Sequence, residues 1–261
     1  MMAPVNDIDI KESSLRRTGR LLNLLLIDRT TKTNIIWATD SYKDHGEGYE
    51  FTSPIKPELI TRKSSYLIQP RASKTIVEQR KRTKDIAEVF TPLTVVEQMN
   101  NLIQLSKNID ENNWQEYVKE IKLEITCGEA PFIVSRYNPT SHTGKIRSID
   151  KRVGFLDKKL QVVSRYCSKK NDWLFWAKEA YRASYGYEWQ GDNLLIAREN
   201  LLYTYIDYYK AQFHDKPSLR AQEDIATIIS WNIFQMDGLK YVVPMSCYPE
   251  TVVIPDRKSV V

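Results

Sequence analysis

The chain has 261 residues, 42% hydrophobic and 27% charged, with a formal net charge of +5. That is enough for one sizeable α/β domain with a smaller appendage and a core that needs no covalent staple. Its three cysteines, Cys127, Cys167 and Cys247, form no CxxC or Cys/His pattern, which argues against structural zinc and for a reduced, cytoplasmic setting over secretion.

The longest nearly apolar run, Leu21 to Ile27, is interrupted by Asn23 and follows about twenty polar or mixed residues. It suits neither a membrane span nor a signal peptide. With Asn34 to Ala38 it flanks the turn-like Asp28-Arg29-Thr30-Thr31-Lys32-Thr33, which reads as a hairpin or as a helix end followed by a strand. Asp44-His45-Gly46-Glu47-Gly48, Pro54 and Pro57 mark loops. Between Thr61 and Lys84 stand Arg62, Lys63, Arg71, Lys74, Arg80, Lys81, Arg82 and Lys84 against the single acid Glu78. Such a stripe suits a phosphate backbone; from charge alone, a solvated basic linker fits equally well.

Thr94-Val95-Val96-Glu97 has the form of a capping box and predicts a helix start at Thr94. Val95, Val96, Met99, Leu102 and Ile103 then make one apolar stripe to lay on a sheet. Ile121 to Thr126 suits a short buried strand ending at Gly128. Between Phe132 and Glu188 the connection is longer than a crossover needs, with Gly144 and Gly154 in loops and a helix from Trp173 to Tyr181 capped by Asn171 or Asp172. Tyr185 to Trp189 is the next strand. Asp192 opens an amphipathic helix through Leu194, Leu195, Ala197, Leu201, Leu202 and Ile206. A further helix runs from Ser218 to Ser230, and a short strand from Asn232 to Gln235 precedes Asp237. Strands alternating with helices predict parallel strands joined by crossovers.

In open parallel sheets, ligands sit beyond the carboxyl ends of the strands. Gly128 after the first strand lets backbone approach a ligand, and Cys127 beside it is compact. Glu188 at the end of the second has two oxygens to accept from vicinal hydroxyls. Asp237 after the third could accept from an exocyclic amine. Each has a plainer reading: a turn glycine, a carboxylate favoured by a helix N-terminus, and an Asp-Gly turn pair. Placement on successive strand ends favours a shared nucleotide-like ligand.

These stretches resemble the adenine-specific DNA methyltransferases of bacterial restriction-modification systems, in the class whose S-adenosylmethionine motifs precede the catalytic motif. Glu88-Val89-Phe90-Thr91-Pro92 is similar to the leading motif, whose Phe-Thr-Pro packs on the methionine part of the cofactor. Glu124 to Phe132 resembles the glycine-bearing loop. Gly186-Tyr187-Glu188-Trp189 resembles the ribose-binding strand, and Asp237-Gly238-Leu239 the element that holds adenine. The resemblance spans roughly residues 80 to 245, and motif order is its most specific aspect.

It implies a Rossmann-like methyltransferase sheet over residues 85–254, incomplete, preceded by a small α+β extension over 1–84 and followed by a tail at 255–261. It implies S-adenosyl-L-methionine held by Phe90, Thr91, Pro92, Glu124, Cys127, Gly128, Phe132, Glu188, Trp189, Asp237 and Leu239. Double-stranded DNA would lie along the basic stripe. A cognate restriction nuclease or a C-terminal part of the enzyme would be a partner, and no metal is needed.

There are two departures. Ala130 stands where the family has a second glycine. The catalytic Asn-Pro-Pro-Tyr is absent: Asn138-Pro139 precedes the ribose strand, and residues 238–261 carry no such pattern. Flipping adenine and orienting its amine needs that motif's hydrogen bonds and aromatic ring, so no catalytic residue is assigned. The chain reads as a cofactor-binding portion whose first strand is left with an open edge.

The rival is a non-catalytic DNA-binding or assembly module on the same sheet; RNA or protein methylation is a third reading. His45, His142 and His214 are scattered and read as loop or surface residues. Trp173, Phe175, Trp176, Tyr181, Tyr185, Tyr187 and Trp189 offer stacking surfaces, with core the commoner home for such rings.

Overall fold

The computed structural model describes residues 15–16, 19–86, 88–104, 109–141 and 144–245. His142, Cys247 and the 255–261 tail lie outside them. Three strands form a parallel sheet in the order β1 (Lys122–Glu124), β2 (Ser184–Glu188), β3 (Ile233–Gln235). Leu123 pairs with Tyr185, and Tyr187 with Phe234. The chain is α/β. The helices are α1 (Gly19–Leu26), α2 (Pro57–Ile60), α3 (Ile76–Ile86), α4 (Leu93–Gln104), α5 (Trp114–Lys119), α6 (Phe155–Tyr166), α7 (Lys170–Arg182), α8 (Gly191–Phe213) and α9 (Leu219–Asn232). No described helix is long and apolar enough to cross a membrane.

The 23-residue α8 is the spine of the fold. It is not the amphipathic helix expected: Gly191 to Leu202 are buried all round, Arg198, Glu199 and Asn200 included, and Tyr205, Tyr208 and Tyr209 extend the burial. Ser218 caps α9 by accepting the Ala221 N–H at 3.2 Å. On α7 the cap position falls to Lys169, which supplies no side-chain cap. The expected Asn171 or Asp172 cap is therefore absent, and the helix is held by burial of Trp173, Ala177 and Tyr181.

The described residues before 85 share the core of the sheet instead of packing as a separate appendage. Leu22, Leu25, Leu26, Ile35 and Trp37 belong to the same apolar cluster as α8 and β3. The buried Arg198 of α8 donates to the carbonyls of Ile233, Leu25 and Ile27. Gln235 closes a two-way bond with the Ile36 backbone at 2.9 and 2.8 Å. Each link joins the N-terminal segment to the sheet.

Two sequence expectations change. The Ile121–Thr126 strand is not buried: β1 is the edge of the sheet among described residues, and Ile121 is 72% exposed, Leu123 44% and Ile125 42%. Helix α4 begins at Leu93, with the Pro92 carbonyl accepting from the Val95 and Val96 N–H groups. Thr94 is thus inside the helix and cannot be its cap. The buried side of α4 is Leu93, Val96 and Asn100, because the Asn100 amide donates to the Phe132 and Val153 carbonyls. That anchor leaves Met99, Leu102 and Ile103 exposed instead of laid on the sheet.

Candidate functional site

A cavity of about 730 Å³ opens where the three strands end. Glu124 and Glu188, the last residues of β1 and β2, line it together with Met236, Asp237, Gly238 and Leu239 just after β3. Phe90 and Thr91 close a second side, and Cys127, Gly128 and Phe132 a third, with Trp189 beside Glu188. Of the expected cofactor contacts, Pro92 alone is outside the lining; it is exposed and starts α4.

The glycine loop has the backbone that the sequence left open. Gly128 sits at φ +54° and Ala130 at φ +66°, and the Ala130 N–H donates to the Cys127 carbonyl at 2.7 Å. The left-handed region favours glycine because a Cβ crowds the backbone there. Ala130 adopts it all the same, in a fully buried position. At Gly128 a Cβ would come within 3.1 Å of the Phe90 ring, so the missing side chain lets Phe90 lie on the loop.

Glu188 is the electrostatic centre. One carboxylate oxygen accepts the Gly128 N–H at 2.8 Å, the other the Gln190 N–H at 3.1 Å. Burial outweighs both donors and pushes the carboxyl up to about 7. Burial, then the neighbouring Glu188, holds Glu124 well above the ordinary carboxylate range. Glu124 Oε2 and Asn193 Oδ1, both on cavity-lining residues, have no hydrogen-bond partner among described residues. Such orphaned acceptors are costly unless a ligand or water serves them. Asp237 is at the rim, where Oδ1 accepts from the Leu239 and Lys240 N–H groups and these bonds lower its pKa. The turn-pair reading and the cavity placement hold together.

The basic stripe does not form one surface. Arg62, Lys63, Arg80, Lys81 and Lys84 are exposed. Arg82 is buried, with ion pairs to Glu88 at 2.6 Å and to Asp192 at 2.8 Å. Arg71 turns in to Glu88 at 3.2 Å and lies over the Phe90 ring. Burial lowers the pKa of Lys74, whose Nζ has no hydrogen-bond partner among described residues. The physical reason is the acids beneath: Glu88, Glu129 and Asp192 are all buried and draw these three cations inward.

The sequence assigned no role to Gln190 or Asn193, which line the cavity from the start of α8, or to Met99, Asn100 and Ile103 of α4. Position just past a strand end was the available signal for the first pair. Nothing in the pattern pointed to the α4 residues. Asn138 is not among the lining residues; its Oδ1 accepts from the Thr140 N–H and hydroxyl in a local turn. No family model, curated protein or solved structure matches this chain.

Proposed function

We propose that this cavity binds S-adenosyl-L-methionine and that the chain is the cofactor-binding portion of a site-specific adenine DNA methyltransferase on a Rossmann-like sheet. The observation that supports it is the meeting of Gly128, Glu188 and Asp237 in one cavity at the carboxyl ends of parallel strands. Its volume of about 730 Å³ lies within the span usual for cofactor pockets. The residues fit the group: Glu188 keeps a free lone pair on each oxygen for ribose hydroxyls. Orphaned Glu124 Oε2 awaits a donor, and Phe90 offers an apolar face.

When bound, the cofactor supplies an electrophilic methyl group. The chain's own part is to seat it: Gly128 gives room, Glu188 holds the sugar, and Asp237 at the rim faces the purine. Arg62, Lys63, Arg80, Lys81 and Lys84 track phosphates. Asn138 is committed to its turn away from the cavity, so it does not serve to flip and orient adenine. That same observation favours a second reading, a DNA-binding or assembly module that keeps the cavity without turnover.

Ultraviolet crosslinking with methyl-labelled S-adenosylmethionine tests the proposal. Label is expected in the peptides containing Phe90, Cys127 and Trp189, competed by unlabelled S-adenosylhomocysteine. Label spread over the chain and indifferent to competitor overturns it.

A further inference from the structure

Eight cations between Thr61 and Lys84 look equivalent in sequence, yet two of them, Arg71 and Arg82, hold residues of the cavity wall. Arg71 reaches it by three routes. Its backbone N–H donates to Glu129 Oε1 at 2.5 Å, its guanidinium meets Glu88 at 3.2 Å, and the same guanidinium stands 5.3 Å over the Phe90 ring. Glu129 follows Gly128 directly, and its other oxygen accepts the Tyr137 hydroxyl at 2.7 Å. Arg71 therefore touches both the lip that carries Phe90 and the loop that carries Gly128.

Arg82 makes the second fastening. Its guanidinium spans Glu88 at 2.6 Å, Asp192 at 2.8 Å and Gln190 at 3.2 Å. Two of these partners, Glu88 and Gln190, line the cavity. Tyr42 donates to the same Asp192 oxygen at 2.8 Å. Burial works against both charges, but Asp192 and then Glu88 raise the Arg82 pKa, while Arg82, Lys74 and the Tyr42 hydroxyl lower that of Asp192. A planar fork serves three acceptors at once in a way an ammonium cannot.

We infer that Arg71 and Arg82 are positioning residues for the cavity, holding Glu88 so that Phe90 stays seated on Gly128, and that they take no part in phosphate contact. Helix α3 then divides its labour: Arg82 and Gln79 face in, while Arg80, Lys81 and Lys84 face out. The inference rests on the cofactor reading for its ligand, but the seating of Phe90 is a property of the protein alone.

The test uses the full chain and the variants Arg71→Gln, Arg82→Gln, Arg71→Lys and the triple Arg80→Gln, Lys81→Gln, Lys84→Gln. Affinity for S-adenosylmethionine is read by calorimetry, affinity for a random-sequence duplex by anisotropy across a salt series. Exchange of the 88–92 and 127–130 amides is read by mass spectrometry without ligand. Arg71→Gln and Arg82→Gln are expected to weaken the cofactor on the order of tenfold, as loss of charge-assisted bonds does. Duplex affinity should stay within about twofold, the scatter expected when no phosphate contact is lost. Both segments should exchange faster while the rest of the chain does not.

Arg71→Lys, which keeps a cation beside Glu88 and Phe90, should recover most of the loss. The triple variant should do the opposite, lowering the salt slope of duplex binding by roughly 2 to 3 and leaving the cofactor isotherm in place. Faster local exchange in Arg71→Gln and Arg82→Gln, alongside a wild type that takes no cofactor, would retain the positioning role and remove the cofactor reading. Unchanged exchange at 88–92 in folded Arg71→Gln and Arg82→Gln, or loss of duplex binding in either, overturns the inference.

Discussion

Glu188 at the end of β2 accepts the N–H of Gly128, sixty positions earlier in the chain, at 2.8 Å. One bond thus fastens the glycine loop after β1 to the acidic end of its neighbour, and it does so inside the cavity. Because burial pushes the Glu188 carboxyl up to about 7, this link carries a pH dependence.

The folded pKa lies above the unfolded one, so Glu188's contribution to stability is fully present below about 4.5 and is lost as pH rises through about 7. Glu188→Gln cannot titrate. Urea unfolding of both proteins between about pH 5 and about pH 8 should show the variant gaining on wild type by on the order of 2–3 kcal/mol. Parallel stability curves would remove the raised carboxyl from the account.

In the proposed complex, ribose hydroxyls would donate to the ionised carboxylate and favour it. Cofactor binding should therefore release a proton from Glu188 and tighten toward higher pH, by up to about tenfold per pH unit below 7 and levelling off above it. Calorimetry in two buffers of different ionisation enthalpy reads the proton directly. Proton uptake, or affinity flat from about pH 6 to about pH 8, contradicts this.

Gly238 carries no side chain because its turn lies against the backbone just after β1: a Cβ there would stand 1.9 Å from the Ile125 carbonyl oxygen. Backbone cannot yield cheaply, so Gly238→Ala should cost about 1–3 kcal/mol of stability and push the 236–239 wall off the strand. Thermal melting should show the loss, and cofactor affinity should fall with it. A variant that melts and binds as wild type does would mean the turn does not rest on Ile125.

Among described residues β1 is an edge of the sheet, with Leu123 exposed on it and Ile121 and Ile125 exposed just before and after it. Unpaired strand backbone next to apolar surface favours association. Sedimentation velocity should show mass rising with concentration, and Leu123→Lys together with Ile121→Lys should shift the chain toward monomer. A wild type that stays monodisperse at every concentration would argue against an adhesive edge.

Parallel strand direction was legible because helices separate the three short strand segments, and the cavity followed from Gly128, Glu188 and Asp237 falling at or just past the ends of β1, β2 and β3. Helix α6 was not legible. Asp157 and Lys159 are buried in it: Asp157 accepts from the Ser135 and Gly154 N–H groups and Lys159 donates to the Ala183 carbonyl. Charges on a buried face hide an apolar stripe. The same holds for Arg71 and Arg82, whose inward turn depends on acids 17 or more positions away for one and on Asp192 for the other. On α4 the periodicity was read correctly as helical, but a polar anchor, Asn100, chose which side to bury.

The account stands most directly on calorimetric titration of the chain with S-adenosylmethionine at about pH 8, where Glu188 is ionised. A saturable single-site isotherm is expected, lost in a Glu188→Ala variant that still unfolds cooperatively. A folded wild type that gives no binding signal, or a Glu188→Ala variant that binds as tightly as wild type, would contradict it.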